Sequence, residues 1–144
     1  MSENIVIRKA EAKDFEAVQS VQLTGGTDVL TFGNVIAIAD MRMLSSNPNG
    51  IFGVAETNGC IIGFIYGEKL AGCWAMASYF VVHLDYRGGV VHKKLGGWFI
   101  EQAKVLGAKY VLLYAVAQNK KLINFYKRFG FTDGGEYVEM IKEI

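Results

Sequence analysis

Three strand-like segments follow one another in the middle of the chain, and this run constrains the fold more than any other feature. Ile51–Glu56 and Cys60–Tyr66 are separated by Thr57-Asn58-Gly59. An Asn-Gly pair between β-rich segments predicts a β-hairpin. The third segment, Ala75–Leu84, is apolar on both faces, which predicts a strand inside the sheet. Three consecutive strands disfavour an alternating, doubly wound fold.

Helices and further strands are predicted on both sides of this run. They are a strand at Ile5–Arg8, a short helix N-capped at Lys13-Asp14, a turn at Gly25-Gly26, a second helix at Val29–Leu44, a third helix at Val91–Leu106 ending at Gly107, a strand at Tyr110–Val116, a fourth helix at Lys120–Phe129 ending at Gly130, and final strands at Phe131 and Tyr137–Ile141. The order β-α-α-β-β-β-α-β-α-β-β predicts an α/β (α+β) fold with a mixed sheet of seven strands and four helices. The 144 residues suit one domain spanning 1–144.

Composition excludes several classes of protein. The chain has 15 basic and 14 acidic residues, so charge gives no reason to expect nucleic-acid or membrane binding. No apolar run approaches the ~20 residues that span a bilayer. Cys60 and Cys73 have neither metal-binding nor redox spacing, and without a signal peptide they predict a reducing, cytoplasmic setting. We expect no metal site.

A glycine-containing turn, Tyr86–Gly89, joins the third strand of the run to the next helix. The free amides of a first helical turn and the helix dipole favour an anion at such a place. Lys93 and Lys94 add positive charge there. The simpler explanation is an ordinary strand-to-helix turn with two solvated lysines.

The segment Asn119–Phe131 predicts a capped amphipathic helix. Asn119 can cap it, and Gly130 supplies the positive φ that ends it. Tyr126 follows Phe125 directly, and its simplest explanation is packing beside the core with a solvated hydroxyl. The apolar residues predicted as core are Leu122, Phe125, Phe129 and Phe131.

Together, Tyr86–Leu95 and Asn119–Phe131 resemble the two signature segments of the GNAT-type N-acyltransferases. The resemblance implies direct attack of an amine on acetyl-coenzyme A, the co-substrate, without an acyl-enzyme. It implies that Tyr126 protonates the leaving thiolate and that Asn119 contacts coenzyme A. It also implies a bulge in the strand before the cofactor loop, with the pantetheine arm pairing around Val81 and Val82 and a backbone N–H of that strand stabilising the oxyanion. The pyrophosphate would be held by Arg87, Gly88, Gly89, Val90, Val91, His92 and Lys93.

The cofactor loop departs from the family pattern. Aligned on Arg87, the two small positions of that pattern become Val90 and His92. One interpretation is a shifted geometry that uses the amides from Gly88 to Lys93, with His92 contacting a phosphate. Another is a binding or structural protein with a degenerate loop and little or no activity. A register on Gly96-Gly97 is disfavoured because it would shorten the helix to about eight residues. An unrelated α/β domain is the remaining alternative.

The sequence names no general base and no acceptor. The strand Trp74–Leu84 contains no carboxylate, His83 lies near its end, and Glu56 and Glu68 on neighbouring strands would act through water. The resemblance implies a small-molecule or protein amine as acceptor and is compatible with a homodimer. It places the acceptor near Leu23–Phe32 and Thr132–Glu136, whose carboxylates (Asp28, Asp133 and Glu136) slightly favour a cation.

Overall fold

The computed structural model describes residues 4–24 and 35–144. Within them the strands are β1 (Val6–Lys9), β2 (Gly50–Thr57), β3 (Cys60–Lys69), β4 (Trp74–Val82) and β5 (Tyr110–Leu112), and the α-helices are α1 (Phe15–Thr24), α2 (Ile38–Ser45), α3 (Val90–Val105) and α4 (Lys120–Arg128). Short 3-10 helices span Ala12–Asp14 and Leu84–Tyr86. The predicted turn at Gly25-Gly26 and residues 29–34 of the predicted second helix lie outside the described residues. The prediction is wrong for residues 35–37, because α2 begins only at Ile38 and Ala37 before it has an extended conformation.

The five strands form one sheet in the order β1-β2-β3-β4-β5. The first four are antiparallel neighbours, and β4 pairs with β5 in parallel. Only Asn58 and Gly59 separate β2 from β3, which confirms the predicted hairpin. β4, α3 and β5 form a βαβ unit, because the two strands pair in parallel.

Two strand predictions are wrong. The predicted strand Tyr110–Val116 ends at Leu112, where its pairing with β4 ends. The predicted final strands at Phe131 and Tyr137–Ile141 do not form, so the described residues contain five strands instead of seven. Every residue from 132 to 144 is exposed, so these side chains lack the burial that makes a β-prone segment a strand.

The sheet is covered on two faces. On one face α1 and α2 cover a core that includes Phe15, Val18, Met41, Phe64 and Val81. On the other face α3 covers a second core that includes Ala75, Ala77, Val82, Leu95 and Phe99. Successive side chains of a strand point to opposite faces of the sheet. Ala77 and Val82 are five residues apart and nevertheless lie on the same face, so β4 must contain one extra residue between them. That residue determines the geometry of the site described below.

The close approach of α3 to the sheet depends on glycine in β3. A Cβ atom added to Gly67 would lie 2.1 Å from the carbonyl oxygen of Met76 and 2.6 Å from the Phe99 ring. Both contacts are far shorter than van der Waals distance. Gly67 therefore lets the Phe99 ring pack directly on the strand backbone.

We expect Gly67→Ala to lower the free energy of unfolding by about 3 kcal/mol, because overpacking against a backbone carbonyl forces the strand or α3 to shift. Gly97→Ala is the matched control, since a Cβ atom there meets nothing within 4 Å and alanine favours a helix by about 1 kcal/mol over glycine. Urea unfolding measures both variants. Equal stability of the two would contradict this account of the packing.

The described chain divides into two compact units, Met1–Tyr114 and Ala115–Ile144. The first unit contains the sheet with α1, α2 and α3, and the second contains α4. The predicted cofactor loop belongs to the first unit, whereas Asn119 and Tyr126 belong to the second.

Candidate functional site

The turn between β4 and α3 leaves the N-terminus of α3 open. Gly89 is the residue before the helix and has φ 101°, a left-handed conformation that favours glycine. The first intrahelical bond runs from the Lys93 amide to the Gly89 carbonyl at 2.9 Å. No side chain caps this end of the helix. Such an end presents its first amides and the positive end of the helix dipole to an anion.

Positive charge surrounds this helix end. Arg87, Lys93 and Lys94 are exposed, and the first turn of α3 contains no acidic residue. Val90, which stands where the family has a small residue, has 59% of its surface exposed. Its side chain is therefore not part of the core beneath the loop.

His92 lies against β4. Its ring centroid is 4.9 Å from that of Phe80, with 44° between the ring planes. Burial lowers the pKa of His92 to about 4, and the nearby Arg87 acts in the same direction. The imidazole is therefore neutral at neutral pH, so it contributes no positive charge to the loop.

The strand β4 contains a bulge at Ser78. Tyr79 pairs with Tyr66 and Ala77 pairs with Gly67, so Ser78 has no opposite residue in β3. The parallel pairing of β4 with β5 covers only Trp74–Met76. From Ala77 onward, β4 has no strand neighbour on that side within the described residues. The bulge predicted for this strand is thereby confirmed, and its position is a finding of the structure.

The backbone of β4 presents its polar groups to the two sides alternately. The His83 amide donates to the Ile62 carbonyl at 2.7 Å. Because hydrogen-bonded and non-hydrogen-bonded pairs alternate in an antiparallel ladder, Val81 directs its N–H and C=O toward β3, and Phe80 and Val82 direct theirs away from β3. Of the two residues predicted to contact pantetheine, Val82 thus has the suitable orientation and Val81 packs in the α1–α2 core. Phe80, which the sequence analysis did not name, has the same backbone orientation as Val82.

Glu56 and His83, two of the groups considered as a base, have structural partners, and so does Asp14 beside them. Glu56 accepts a hydrogen bond from Arg8 Nε at 2.9 Å. Asp14 receives two hydrogen bonds from the same guanidinium, at 2.7 and 2.8 Å. The Nδ1 atom of His83 accepts from the Asp85 amide at 3.1 Å and so caps the 3-10 helix after β4. Arg8, Asp14, Glu56 and His83 also line an open depression of about 540 Å³ beside α1.

In the second unit, the helix begins as predicted. Asn119 Oδ1 accepts a hydrogen bond from the Leu122 amide at 3.2 Å, and α4 ends at Arg128, shortly before Gly130. This capping bond confirms the structural role predicted for Asn119. The amide group also has an Nδ2 donor, which suits contact with an acceptor atom of a ligand.

Tyr126 is the buried residue of α4, with 8% exposure. The four apolar residues predicted as its core (Leu122, Phe125, Phe129 and Phe131) are half-buried, so Tyr126 is more deeply buried than any of them. The Tyr126 ring packs edge-on to Phe125 and Phe131, at 5.5 and 5.6 Å between centroids. Burial raises the pKa of Tyr126 to about 12. The phenol is therefore fully protonated at neutral pH.

Comparison with known proteins identifies the family. The sequence profile of the acetyltransferase (GNAT) family matches residues 19–131. The chain belongs to the GNAT acetyltransferase family. A search of functionally curated proteins finds no match.

Solved structures share the GNAT fold. The chain is similar to a transcriptional regulator from Bacillus halodurans C-125, with 22% identity and a TM-score of 0.80 over 96% of this chain and 100% of that one. It is similar to the aminoglycoside N-acetyltransferase AAC(6')-Iy in complex with CoA, with 14% identity and a TM-score of 0.82 over 100% and 98%. It is also similar to Ard1 from Thermoplasma volcanium, with 26% identity and a TM-score of 0.76 over 89% and 82%.

The described residues of this GNAT chain contain no helix with the length and hydropathy needed to cross a membrane. They also contain no cluster of three or more His, Cys, Asp or Glu residues suited to a metal ion.

Proposed function

We propose that this GNAT protein is an acetyl-CoA-dependent N-acetyltransferase that uses residues 1–144 as one catalytic domain. One observation carries the proposal: the uncapped N-terminus of α3 follows β4 after a short 3-10 helix, and within the described residues β4 has no strand neighbour on its outer side beyond Met76. A helix end of this kind suits a pyrophosphate, and an unpaired strand suits an extended, amide-containing arm. CoA contains both groups.

Cofactor binding follows from these two features. The amides of Gly89, Val90, Val91 and His92 bind the pyrophosphate, and Arg87, Gly88 and Lys93 complete the loop. Because Gly89 already supplies the left-handed turn, the valine at position 90 leaves the backbone accessible. The pantetheine amides pair with Val82 and Phe80, beside Val81, while Asn119 Nδ2 contacts the cofactor.

The reaction is direct transfer. The amine nitrogen attacks the thioester carbonyl, and a β4 N–H near the Ser78 bulge stabilises the oxyanion. The phenol of Tyr126 donates a hydrogen bond to the leaving sulfur. Full transfer from a phenol with a pKa of about 12 to a thiolate whose thiol has a pKa near ~8.5 is uphill by roughly 5 kcal/mol. Tyr126 therefore acts first as a hydrogen-bond donor.

The acceptor is a small-molecule or protein amine, and the similarity to structures of aminoglycoside acetyltransferases supports the small-molecule class. A cytoplasmic location is supported by Cys60 and Cys73, which are both free thiols.

Thermal unfolding with and without cofactor tests the proposal. A ligand at 100 times its Kd stabilises the native state by about 2.7 kcal/mol, which raises the Tm of a domain of this size by about 5–10 °C. We expect this shift with acetyl-CoA and a much smaller one with S-acetylpantetheine, which lacks the pyrophosphate. No shift at millimolar acetyl-CoA would refute the proposal and favour a GNAT-fold protein with a degenerate loop.

The neutral state of His92 gives a second prediction. Since the His92 pKa is lowered to about 4, its ring stays uncharged from pH 8 to pH 5.5 and binds no phosphate as a cation. We expect the affinity for CoA to have the same pH dependence in wild type and in His92→Asn. The change in affinity between pH 8 and pH 5.5 should agree within about twofold between the two proteins. Isothermal titration calorimetry at several pH values measures this. An affinity gain on acidification in wild type alone would show that the ring contacts a phosphate as a cation.

A further inference from the structure

The side chain of His83 caps the segment that joins β4 to residues 87–89, the turn proposed to bind the pyrophosphate. Its Nδ1 atom accepts a hydrogen bond from the Asp85 amide at 3.1 Å, and the Tyr86 amide donates to the His83 carbonyl at 2.9 Å. These two bonds close the 3-10 helix Leu84–Tyr86. A capping side chain of this kind satisfies an amide of the first turn and fixes the direction in which the chain enters the helix.

Backbone and ring contacts anchor this cap on both sides. The His83 amide donates to the Ile62 carbonyl of β3 at 2.7 Å. The His83 ring packs edge-on against the Tyr86 ring, with 6.0 Å between centroids and 81° between planes. Tyr86 in turn packs against the core beneath α3. The imidazole therefore connects the end of the sheet to the last residue of the 3-10 helix.

Residues 87–89 have little packing of their own that could set their shape. Arg87 and Gly88 are exposed, and a Cβ atom added to Gly88 would meet nothing within 4 Å. Gly88 and Gly89 have φ values of 149° and 101°, in the region that favours glycine. Because two successive glycines have access to many backbone conformations, the position of this turn depends on the 3-10 helix before it and on α3 after it.

The cap requires a His83 Nδ1 atom without a proton. A neutral imidazole that accepts a hydrogen bond at Nδ1 carries its proton on Nε2, whereas a charged imidazole is a donor at both nitrogens. Protonation of Nδ1 therefore removes the acceptor of the Asp85 amide. The Asp85 carboxylate, whose Oδ2 atom lies 3.9 Å from Nδ1, attracts the charged ring, so an ion pair replaces the cap.

The other charged groups near His83 are paired with one another. His83 lines the open depression beside α1, whose other titratable groups are Arg8, Lys13, Asp14, Glu56 and Cys60. Arg8 pairs with Asp14 and Glu56, and Lys13 pairs with Glu11. Among the salt bridges of the described residues, His83 takes part in the one with Asp85. The His83 side chain is 31% exposed, so it exchanges protons directly with solvent.

We propose that His83 is a positioning residue of the cofactor site: with a neutral ring it holds residues 87–89 in the conformation that binds the CoA pyrophosphate, and protonation of the ring releases them. This inference rests on the proposed function and adds a pH-dependent regulation to its cofactor site. Because the bound state requires Nδ1 without a proton, CoA binding and ring protonation oppose each other. The affinity for CoA therefore falls on acidification across the range in which histidines titrate, about pH 8 to pH 5.

The variants His83→Asn and His83→Leu form a matched pair, because their side chains have nearly the same shape and both lack the ring contact with Tyr86. Asparagine caps helices well and does not titrate in this range, whereas leucine has no acceptor. By calorimetry at pH 8, CoA should bind His83→Asn within about twofold of wild type and His83→Leu about fivefold more weakly. S-acetylpantetheine, which lacks the pyrophosphate, should bind all three proteins equally. Equal CoA affinity of the two variants, or an equal loss for S-acetylpantetheine, would overturn the inference.

The pH dependence separates positioning from packing. Between pH 8 and pH 5.5, wild type should lose at least about threefold more CoA affinity than His83→Asn. A phosphate monoester such as the 3′-phosphate of CoA takes up a proton near pH ~6, and this effect is common to both proteins and cancels in their ratio. Parallel pH curves for wild type and His83→Asn would contradict the proposed role of the ring.

A measurement on the free protein distinguishes this inference from the proposed function. In 15N-labelled wild type without cofactor, the amide signals of Gly88 and Gly89 should shift between pH 8 and pH 5.5 with the same midpoint as the His83 ring signals. In His83→Asn they should stay unchanged. These shifts without any binding of acetyl-CoA would support the conformational role of His83 and refute the proposed function. Binding of CoA with glycine signals that do not follow His83 would refute the inference alone.

Discussion

Tyr126→Phe is expected to lower kcat by about 100-fold and to leave the affinity for acetyl-CoA nearly unchanged. Donors aimed at charge that develops in the transition state contribute about 10²–10³ each. The phenol is buried and its pKa is raised to about 12, so it stays protonated and available as a donor across the useful pH range. Removing only the hydroxyl preserves the ring contacts with Phe125 and Phe131.

The measurement is release of the CoA thiol under saturating acetyl-CoA, with calorimetry for binding. Tyr137→Phe is the matched control, because Tyr137 belongs to the same unit and has 81% of its surface exposed. Activity of Tyr126→Phe equal to that of the control would remove Tyr126 from the mechanism.

Asp14→Asn is expected to lower the free energy of unfolding by about 3 kcal/mol, because the buried carboxylate loses its charge-assisted hydrogen bonds from Arg8, although Glu56 still pairs with Arg8. Asp14 is 4% exposed and joins the start of α1 to β1 through two bonds to Arg8. Its carboxylate also accepts a hydrogen bond from the Glu11 amide at 2.8 Å.

The same pair gives a pH dependence of defined sign. The hydrogen bonds from Arg8 lower the pKa of Asp14 below its ordinary value of 3.8. The ionised form is therefore favoured in the native state, and its contribution is complete above pH 3.8 and lost as the pH falls through the native pKa. Wild type should lose stability in this acid range, and Asp14→Asn should lose less. Chemical unfolding between pH 2 and pH 7 measures this, with exposed Glu16→Gln as control. Parallel pH curves for the two variants would contradict the assignment.

Local chemistry was enough to predict most of the fold. The Asn58-Gly59 hairpin, the glycine that ends α3 and the cap at Asn119 each depend on residues within one turn. The length of β5 could not be predicted in the same way, because it depends on the bulge in β4 that ends their pairing at Met76. The wrong final strands have the same origin, since a strand requires a partner that local sequence does not specify.

In the candidate site, too, features set by neighbouring residues could be predicted and features set by distant residues could not. The open helix end at Gly89 was predicted from a glycine turn and its lysines. The hydrogen bond from Asn47 to Glu68 was not predicted, because these residues are 21 positions apart and meet only through the register of β3 and the turn after α2. The neutral ring of His92 depends on its contact with Phe80, which sequence spacing does not reveal.

A crystal structure of the protein with CoA tests the central claim most directly. The account predicts pyrophosphate oxygens at about 2.7–3.2 Å from the backbone nitrogens of Gly89–His92, and pantetheine amides paired with Val82 and Phe80. An empty helix end at saturating CoA, or a pyrophosphate bound away from these amides, would contradict it.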